Sequence, residues 1–225
     1  MTGVQTCALP ISSAFLAGII AVAITYAISR MYRSTVMLVL VLSGIIVGAL
    51  FSALISLIKY VADPYDTLPA IVFWLMGSLA SVTGRDLEMA APPILAASMV
   101  LFIIRWRINL LAMGDDEART LGVNTKRMTK IIIICATMIT ASAVCISGLI
   151  GWVGLVVPHM GRMLVGPDFR KLMPASALIG AAFLLTVDNL SRTVFPTEIP
   201  LGILTAIIGA PVFAWLLGRK KVGWL

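Results

Sequence analysis

The single histidine of this 225-residue sequence, His159, is the first candidate for chemistry, because imidazole is the side chain that titrates near neutral pH. It follows Pro158 in the stretch GLVVPHMGRM. A hydrolytic enzyme also needs a nucleophile or a metal, and the sequence has no HExxH, GxSxG or GxxxxGK[ST] pattern. We therefore predict a protein that is not an enzyme, does not hydrolyse ATP itself and uses no metal or other cofactor. An intramembrane enzyme with His159 as its base is the alternative.

Glycines precede this histidine at a regular spacing. Gly148, Gly151 and Gly154 would form an i, i+3 ridge on one continuous helix, where neighbouring backbones could approach closely. Pro158 would then remove a helical hydrogen bond and kink the helix. Broken, glycine-rich helices often line transport pathways, and a tightly packed structural helix would look the same. We predict that these four residues and His159 form a pathway, a gate or a packing surface.

Asp188 and Arg192 are the remaining charged residues of interest, since an ionisable residue inside an apolar span is costly. They are one helical turn apart, so an intrahelical ion pair is the simpler interpretation of Asp188. Arg192 could then extend to the outer surface. A secondary transporter or channel would need intramembrane carboxylates, and Asp188 is the one candidate.

The elements that position these residues are predicted to be membrane-spanning helices. Sixty per cent of the residues are hydrophobic, 12% are charged, and the mean hydropathy is +1.04. Apolar blocks of about twenty residues match the thickness of a bilayer, in which backbone groups must bond within a helix. The fold class is therefore all-α, a polytopic transmembrane bundle with one domain. The predicted spans are 12–29, 36–58, 89–104, 129–147, 150–165, 173–190 and 201–218.

The distribution of basic residues decides between possible topologies. If 68–82 is a short helix on the outer face and 150–165 crosses, only Lys59, Arg85 and Arg192 of the 17 Lys and Arg residues lie outside. This gives seven spans, a cytoplasmic C-terminus and an N-terminus outside. The net charge of +7 is thus explained by topology, and no nucleic acid is expected as a partner.

One substantial cytoplasmic segment, residues 105–130, contains the sequence GDDEARTLG. Its acidic residues come first and Arg119 comes late, as the dipole of a short helix favours. Gly122 is the expected C-terminal stop of that helix.

Three blocks then resemble one family in order: GDDEARTLGVNTKRM, GLIGWVGLVVPHMGRMLVGPDFRKLMPASALIGAAFLL and TEIPLGILTAIIGAPVFAWLL. They are similar to the C-terminal half of the FecCD-type permeases, the membrane subunits of ATP-driven importers for ferric siderophores, haem and cobalamin. The resemblance implies ten spans, both termini in the cytoplasm and a homo- or heterodimer with the translocation pathway at its interface. It also implies a cytoplasmic ATPase, an extracytoplasmic substrate-binding protein and a location in the bacterial inner membrane.

The resemblance also assigns roles to residues. Residues 114–124 resemble the coupling helix that docks into the ATPase. The residues concerned are Gly114, Asp115, Asp116, Glu117, Ala118, Arg119, Leu121 and Gly122. Glu117 stands where the family usually has a small residue, Leu149 where proline is common, and Phe169 where histidine is common. Arg192, and less specifically Arg85, would contact the substrate-binding protein.

The first eleven residues are interpreted as no part of the native protein. The stretch TGVQTCALPI resembles the translation of a common sequencing adapter, and it has no basic region to direct the N-terminus outward. We therefore expect residues 1–11 to be an artefact that packs against nothing, and 12–225 to be the last seven spans of a ten-span permease.

Overall fold

The computed structural model describes the backbone of residues 3–31, 37–194 and 198–218, and their side chains from residue 13 onward except 30, 37 and 217. Within those ranges the regular structure is α-helical, which confirms the predicted fold class. The helices are α1 (Gly3–Met31), α2 (Met37–Val61), α3 (Thr67–Met76), α4 (Gly84–Leu111), α5 (Asp115–Thr120), α6 (Thr125–Ser147), α7 (Val153–Val165), α8 (Phe169–Thr193) and α9 (Leu201–Gly218).

Four of these helices, α2, α4, α6 and α8, are long and apolar enough to cross a membrane. The protein is therefore a multi-pass membrane protein. Helix α3 has 10 residues, about 15 Å at the rise of an α-helix, and is too short to cross. Helix α7 has 13 residues, about 20 Å, so it is shorter than the predicted span 150–165.

Seven helices run alternately between two ends of the bundle. We define the α5 end by α5 and the α7–α8 loop, because the C-terminal part of α4 bonds to that loop. We define the α3 end by the residues after α3, the end of α6 and the start of α9. There Ser78 N–H bonds to Ser147 O, and Leu201 N–H bonds to Gly77 O. Helices α1, α2, α4, α6, α8 and α9 each connect the two ends, and α7 does so together with the non-helical residues 148–152 that precede it, whereas α3 and α5 lie at one end.

The bundle interior is packed by small and β-branched side chains. Ala97, Val156, Val187 and Thr205 are among the most buried residues, with exposed fractions of 3% or less. Such side chains let helix backbones approach closely, and α4 packs most extensively against α6.

Capping groups explain where three helices begin. Thr83 and Asp86 form a capping box, so α4 starts five residues earlier than the predicted span at 89. The side chain of Asn124 accepts a hydrogen bond from the Arg127 N–H (3.0 Å) at the start of α6. The side chain of Asp168 accepts one from the Arg170 N–H (2.9 Å) at the start of α8.

The N-terminal segment joins α1 without a break in the described backbone, because the helix begins at Gly3. Residues 1 and 2, and the side chains of 1–12, lie outside the described part of the chain. The interpretation of 1–11 as an adapter remains a prediction.

Candidate functional site

The predicted coupling segment is a short exposed helix at the α5 end. Helix α5 spans Asp115–Thr120 and ends in a Schellman motif, in which Val123 N–H bonds to Ala118 O (3.0 Å) and Gly122 N–H to Arg119 O (2.9 Å). Gly122 has φ +80°, as its predicted role as a stop requires. This motif closes α5 after six residues.

One face of α5 is buried against the bundle and the other is open. Ala118 is fully buried, and Arg119 donates from Nε to Thr125 Oγ1 (3.3 Å) at the start of α6. Arg119 also lies 3.7 Å from Asp116, whose side chain is 94% exposed. Leu121 is 58% exposed. The open face thus combines acidic groups with an apolar side chain, a composition that suits contact with another protein.

The backbone links α4 to α5 without a flexible connection. Ala112 N–H bonds to Ile108 O (3.0 Å), Gly114 N–H to Leu111 O (3.2 Å), and Ala118 N–H to Gly114 O (3.0 Å). The C-terminal part of α4 and α5 therefore form one hydrogen-bonded unit.

A side-chain contact that the sequence did not predict joins α4 to the start of α8. The Asn109 amide donates from Nδ2 to Asp168 Oδ1, and its Oδ1 accepts from the Phe169 N–H (2.8 Å). The hydrogen bond from the Asn109 amide, and that from the Arg170 N–H, lower the pKa of Asp168 below its ordinary value. Because Asn109 and Asp168 are 59 residues apart, only the folded chain reveals the pair. We call these two residues the clasp.

Two arginines add further contacts between the end of α4 and the start of α8. Arg105 donates from its guanidinium to the carbonyl oxygen of Arg170 (3.2 Å). The guanidinium of Arg170 lies 4.1 Å from the centre of the Trp106 ring, a cation–π contact. The last turns of α4 therefore contact the first turn of α8 through several side chains.

At the opposite side of the bundle, α6 and α7 are separated by a non-helical stretch, residues 148–152, which we call the interruption. Gly148 is the C-cap of α6 with φ +68°, and Trp152 has φ +65°. A methyl group on Gly209 would lie 2.8 Å from Trp152 Cβ, and one on Gly202 would lie 3.2 Å from Leu149 O. Since Gly202 and Gly209 are seven residues apart on α9, the interruption descends about 10 Å along that helix.

Because of the interruption, the prediction of a glycine ridge on one continuous helix is wrong. Gly148, Gly151 and Gly154 do not lie on one helix, because the first caps α6, the second is non-helical and the third is in α7. A methyl group on Gly151 or Gly154 would meet nothing within 4 Å among the described atoms. Only Gly148 is at a close approach of backbones.

That close approach involves two glycines that the sequence did not single out. Leu201 N–H bonds to Gly77 O (2.9 Å), and Ser78 N–H bonds to Ser147 O (2.9 Å). Added methyl groups would contact the carbonyl oxygen of Trp74 from Gly148 and that of Met76 from Gly202. We call Gly77, Gly148 and Gly202 the glycine junction, since three chain segments meet there backbone to backbone.

Pro158 and His159 lie in α7, below the interruption. The His159 ring packs edge-on against Phe213 of α9, with centroids 5.6 Å apart, and Phe213 also contacts Trp152 at 6.4 Å. Pro158 lines a cavity of about 320 Å³ between α4, α6, α7 and α8. The structure thus places His159 in an aromatic contact between two helices.

Arg192 and Arg85 both lie at the α3 end, where the sequence placed them together. Arg192 forms two hydrogen bonds with Asp188 (3.0 and 3.2 Å), which confirms the predicted intrahelical pair. Arg85 is exposed in the first turn of α4. Among the described residues there is no group of three or more His, Cys, Asp or Glu side chains that could bind a metal ion.

Comparisons with known proteins agree with this architecture. The sequence profile of the FecCD transport family matches residues 2–219. The chain is 42% identical to the molybdate import permease MolB of Haemophilus influenzae, over 94% of this chain and 63% of that protein. It is 41% identical to the cobalamin import permease BtuC of Halobacterium salinarum, over 93% of this chain and 56% of that protein.

A solved structure matches with a TM-score of 0.81 and 43% identity, over 86% of this chain and 63% of that one. That structure is an inward-facing conformation of a transporter provisionally assigned to the metal-chelate type of ABC transporter. The chain thus spans somewhat less than two thirds of the length of these relatives. With a profile match over nearly all of its residues, the chain belongs to the FecCD transport family.

Proposed function

We propose that the chain is the membrane-spanning subunit of an ATP-driven importer for a metal chelate, such as a ferric siderophore, haem or cobalamin. The observation that carries this proposal is α5, a short helix that presents an open face and is bonded to both neighbouring helices. In the proposal, a separate ATPase binds this face and its closure moves α5.

The sidedness of the protein follows from its basic residues. Among the side chains that the structure describes, three lie at the α3 end (Lys59, Arg85 and Arg192), and the α5 end has Arg105, Arg107, Arg119, Lys126, Arg127, Lys130, Arg162, Arg170 and Lys171. Cytoplasmic loops are enriched in Lys and Arg. The proposal therefore places the α5 end in the cytoplasm, with seven crossings in this part of the chain and a cytoplasmic C-terminus.

The interruption is the proposed pathway element. Non-helical backbone at membrane depth is tolerated where it is buried in protein or lines an aqueous cavity. The interruption is flanked by helices that end at opposite sides of the bundle, and Trp152 is 37% exposed. We assign it, with Gly148, Gly151, Gly154, Pro158 and His159, to the wall of a pathway between this chain and a second permease subunit.

The α3 end is the proposed dock for a substrate-binding protein. Arg85 and Arg192 could pair with acidic residues of that partner. Exchange of Arg192 for Glu should weaken docking, and unchanged affinity would remove this role. Since Arg192 is bonded to Asp188, Asp188→Asn serves as the control for a disturbed helix end, because it breaks this pair and keeps Arg192.

The two alternatives fit the structure less well. A secondary transporter would use Asp188, and that carboxylate is already paired with Arg192. An enzyme would use His159, which packs against an aromatic ring. Two relatives at more than 40% identity are named as import permeases, one for molybdate and one for cobalamin. Because one of these relatives is named as a molybdate permease, the substrate panel for this chain should include that oxyanion.

The docking of the ATPase can be tested by co-purification of the importer. Leu121→Asp puts a charge on the open face of α5 and should abolish retention of the ATPase. Arg127→Gln changes an exposed residue on the neighbouring turn of α6 and should retain it. Equal retention of the ATPase by the Leu121→Asp variant would contradict the proposed role of α5.

A further inference from the structure

The clasp offers a route by which movement of α5 could reach the interruption. Helix α5 is bonded to the end of α4, and the end of α4 is bonded through Asn109 to Asp168 and Phe169. Asp168 lies just after α7, which begins at the interruption. Displacement of α5 would thus pull on the far end of α7.

The two helices that flank the interruption are anchored differently. The end of α6 is fixed in the glycine junction by backbone hydrogen bonds. The end of α7 is attached to α4 by side chains, and the cavity of about 320 Å³ lies beside Pro158, Phe169 and Leu172. Space next to α7 permits it to shift relative to α6, which is packed closely against α4.

We propose that Asn109 and Asp168 are positioning residues that couple α5 to α7, so that ATPase closure changes the geometry of the interruption. Neither residue contacts the substrate. This inference rests on the proposed function, and it adds the specific contact through which α5 is linked to the interruption.

The chemistry of the clasp provides a rescue experiment. Asn109→Asp places a second carboxylate against Asp168 and removes the donor, so the like charges repel. In the double variant Asn109→Asp with Asp168→Asn, the amide at position 168 donates to the carboxylate at position 109. The carboxylate at position 109 still accepts from the Phe169 N–H. In the parent the Asn109 amide and the Arg170 N–H share Oδ1 of Asp168, so the double variant gives up the bond from the Arg170 N–H. The bond between side chains 109 and 168 is restored with donor and acceptor exchanged.

The experiment measures substrate transported per ATP hydrolysed, by the intact importer in proteoliposomes. We expect Asn109→Asp to lower this ratio about fivefold or more, as the loss of an allosteric coupling does, and the double variant to restore it to within about twofold of the original. Asn124→Asp is the matched control, since the same substitution at the same end keeps the cap on α6. An unchanged ratio in Asn109→Asp, or no recovery in the double variant, would overturn the proposal.

A second readout does not depend on transport. Spin labels at Lys126 on α6 and Leu164 on α7, in a background without native cysteines, report the separation of the two helices. ATP should change this distance in the parent and in the double variant, and not in Asn109→Asp. If the parent shows no uptake of any substrate, the proposed function fails. If the distance changes equally in all three proteins, the clasp proposal fails.

Discussion

The two ends of the bundle are built from different kinds of contact. At the α3 end, three chain segments meet through Gly77, Gly148 and Gly202, and the bonds between them are backbone to backbone. At the α5 end, α4 meets the α7–α8 loop through the side chains of Asn109 and Asp168. Close backbone packing has no room to adjust, whereas a side-chain hydrogen bond exchanges with water at a small net cost. The comparison suggests a fixed end and an end that can rearrange.

The largest effect is expected from a methyl group in the glycine junction. Gly202→Ala would press against the carbonyl oxygens of Met76 and Leu149, so α3 or the interruption has to shift. We expect the free energy of unfolding to fall by about 1–3 kcal/mol, as for an overpacked core. Thermal unfolding in detergent measures the change.

Gly154→Ala is the control for that variant. This glycine lies inside α7 with nothing within 4 Å of an added methyl group. Gly154 is the second residue of α7, so alanine there should raise stability slightly, by less than the value of about 0.5–1 kcal/mol that applies in a helix interior. A Gly202→Ala variant as stable as the parent would contradict the fixed character of the α3 end.

Loss of the clasp should reduce the free energy of unfolding by less than Gly202→Ala does, and its effect should be confined to residues near the clasp. Asn109→Ala removes the bonds to Asp168 and to the Phe169 N–H, with an expected loss of about 1 kcal/mol. Hydrogen exchange should become faster at the Phe169 amide in this variant. Asn124→Ala removes the N-cap of α6 and should reduce the free energy of unfolding by a similar amount. In that variant, the amide whose hydrogen exchange becomes faster should be that of Arg127. Faster exchange across the whole bundle in Asn109→Ala would mean that the clasp is not local.

The third effect depends on pH. The pKa of Asp168 is lowered by its hydrogen bonds from Asn109 and Arg170. A carboxylate with a lowered pKa stabilises the fold above its unfolded value of about 3.9, and this contribution is lost as the pH falls through the lower folded value. Unfolding temperatures measured as the pH decreases from neutrality should show this loss in the parent. The loss should be smaller in Asp168→Asn, which keeps the other carboxylate of lowered pKa, Asp86. The same acid dependence in both proteins would exclude Asp168 as its source.

The smallest effect is expected at the ion pair of the α3 end. The side chains of Arg192 and Asp188 are 42% and 20% exposed. Arg192→Gln should reduce stability only slightly, as for other exposed i, i+4 pairs, and less in high salt. A loss as large as that of Gly202→Ala would show that this pair belongs to the fixed packing.

Local sequence signals predicted a large part of this structure. Apolar blocks gave the helices, Gly122 gave the end of α5, and the spacing of Asp188 and Arg192 gave their pair. Each of these depends on residues within one or two helical turns of one another.

Contacts between distant segments could not be predicted in the same way. The junction needs Gly77 and Gly202 beside Gly148, and no local spacing relates them. The ridge of Gly148, Gly151 and Gly154 was wrong because the helix breaks between them, and Trp152 takes a positive φ that its residue type does not suggest. Asp168 could have been recognised as an N-cap from GPDF, but its bond to Asn109 depends on how α4 packs against α8.

The most direct test of the central claim is ATP-dependent uptake by the intact importer in proteoliposomes. Labelled ferric siderophores, haem, cobalamin and molybdate would be supplied with the substrate-binding protein outside and ATP inside. The account predicts that a metal chelate accumulates only with ATP and the ATPase, and that Leu121→Asp abolishes this uptake. Accumulation without the ATPase, or ATP-dependent uptake that Leu121→Asp leaves intact, would contradict it.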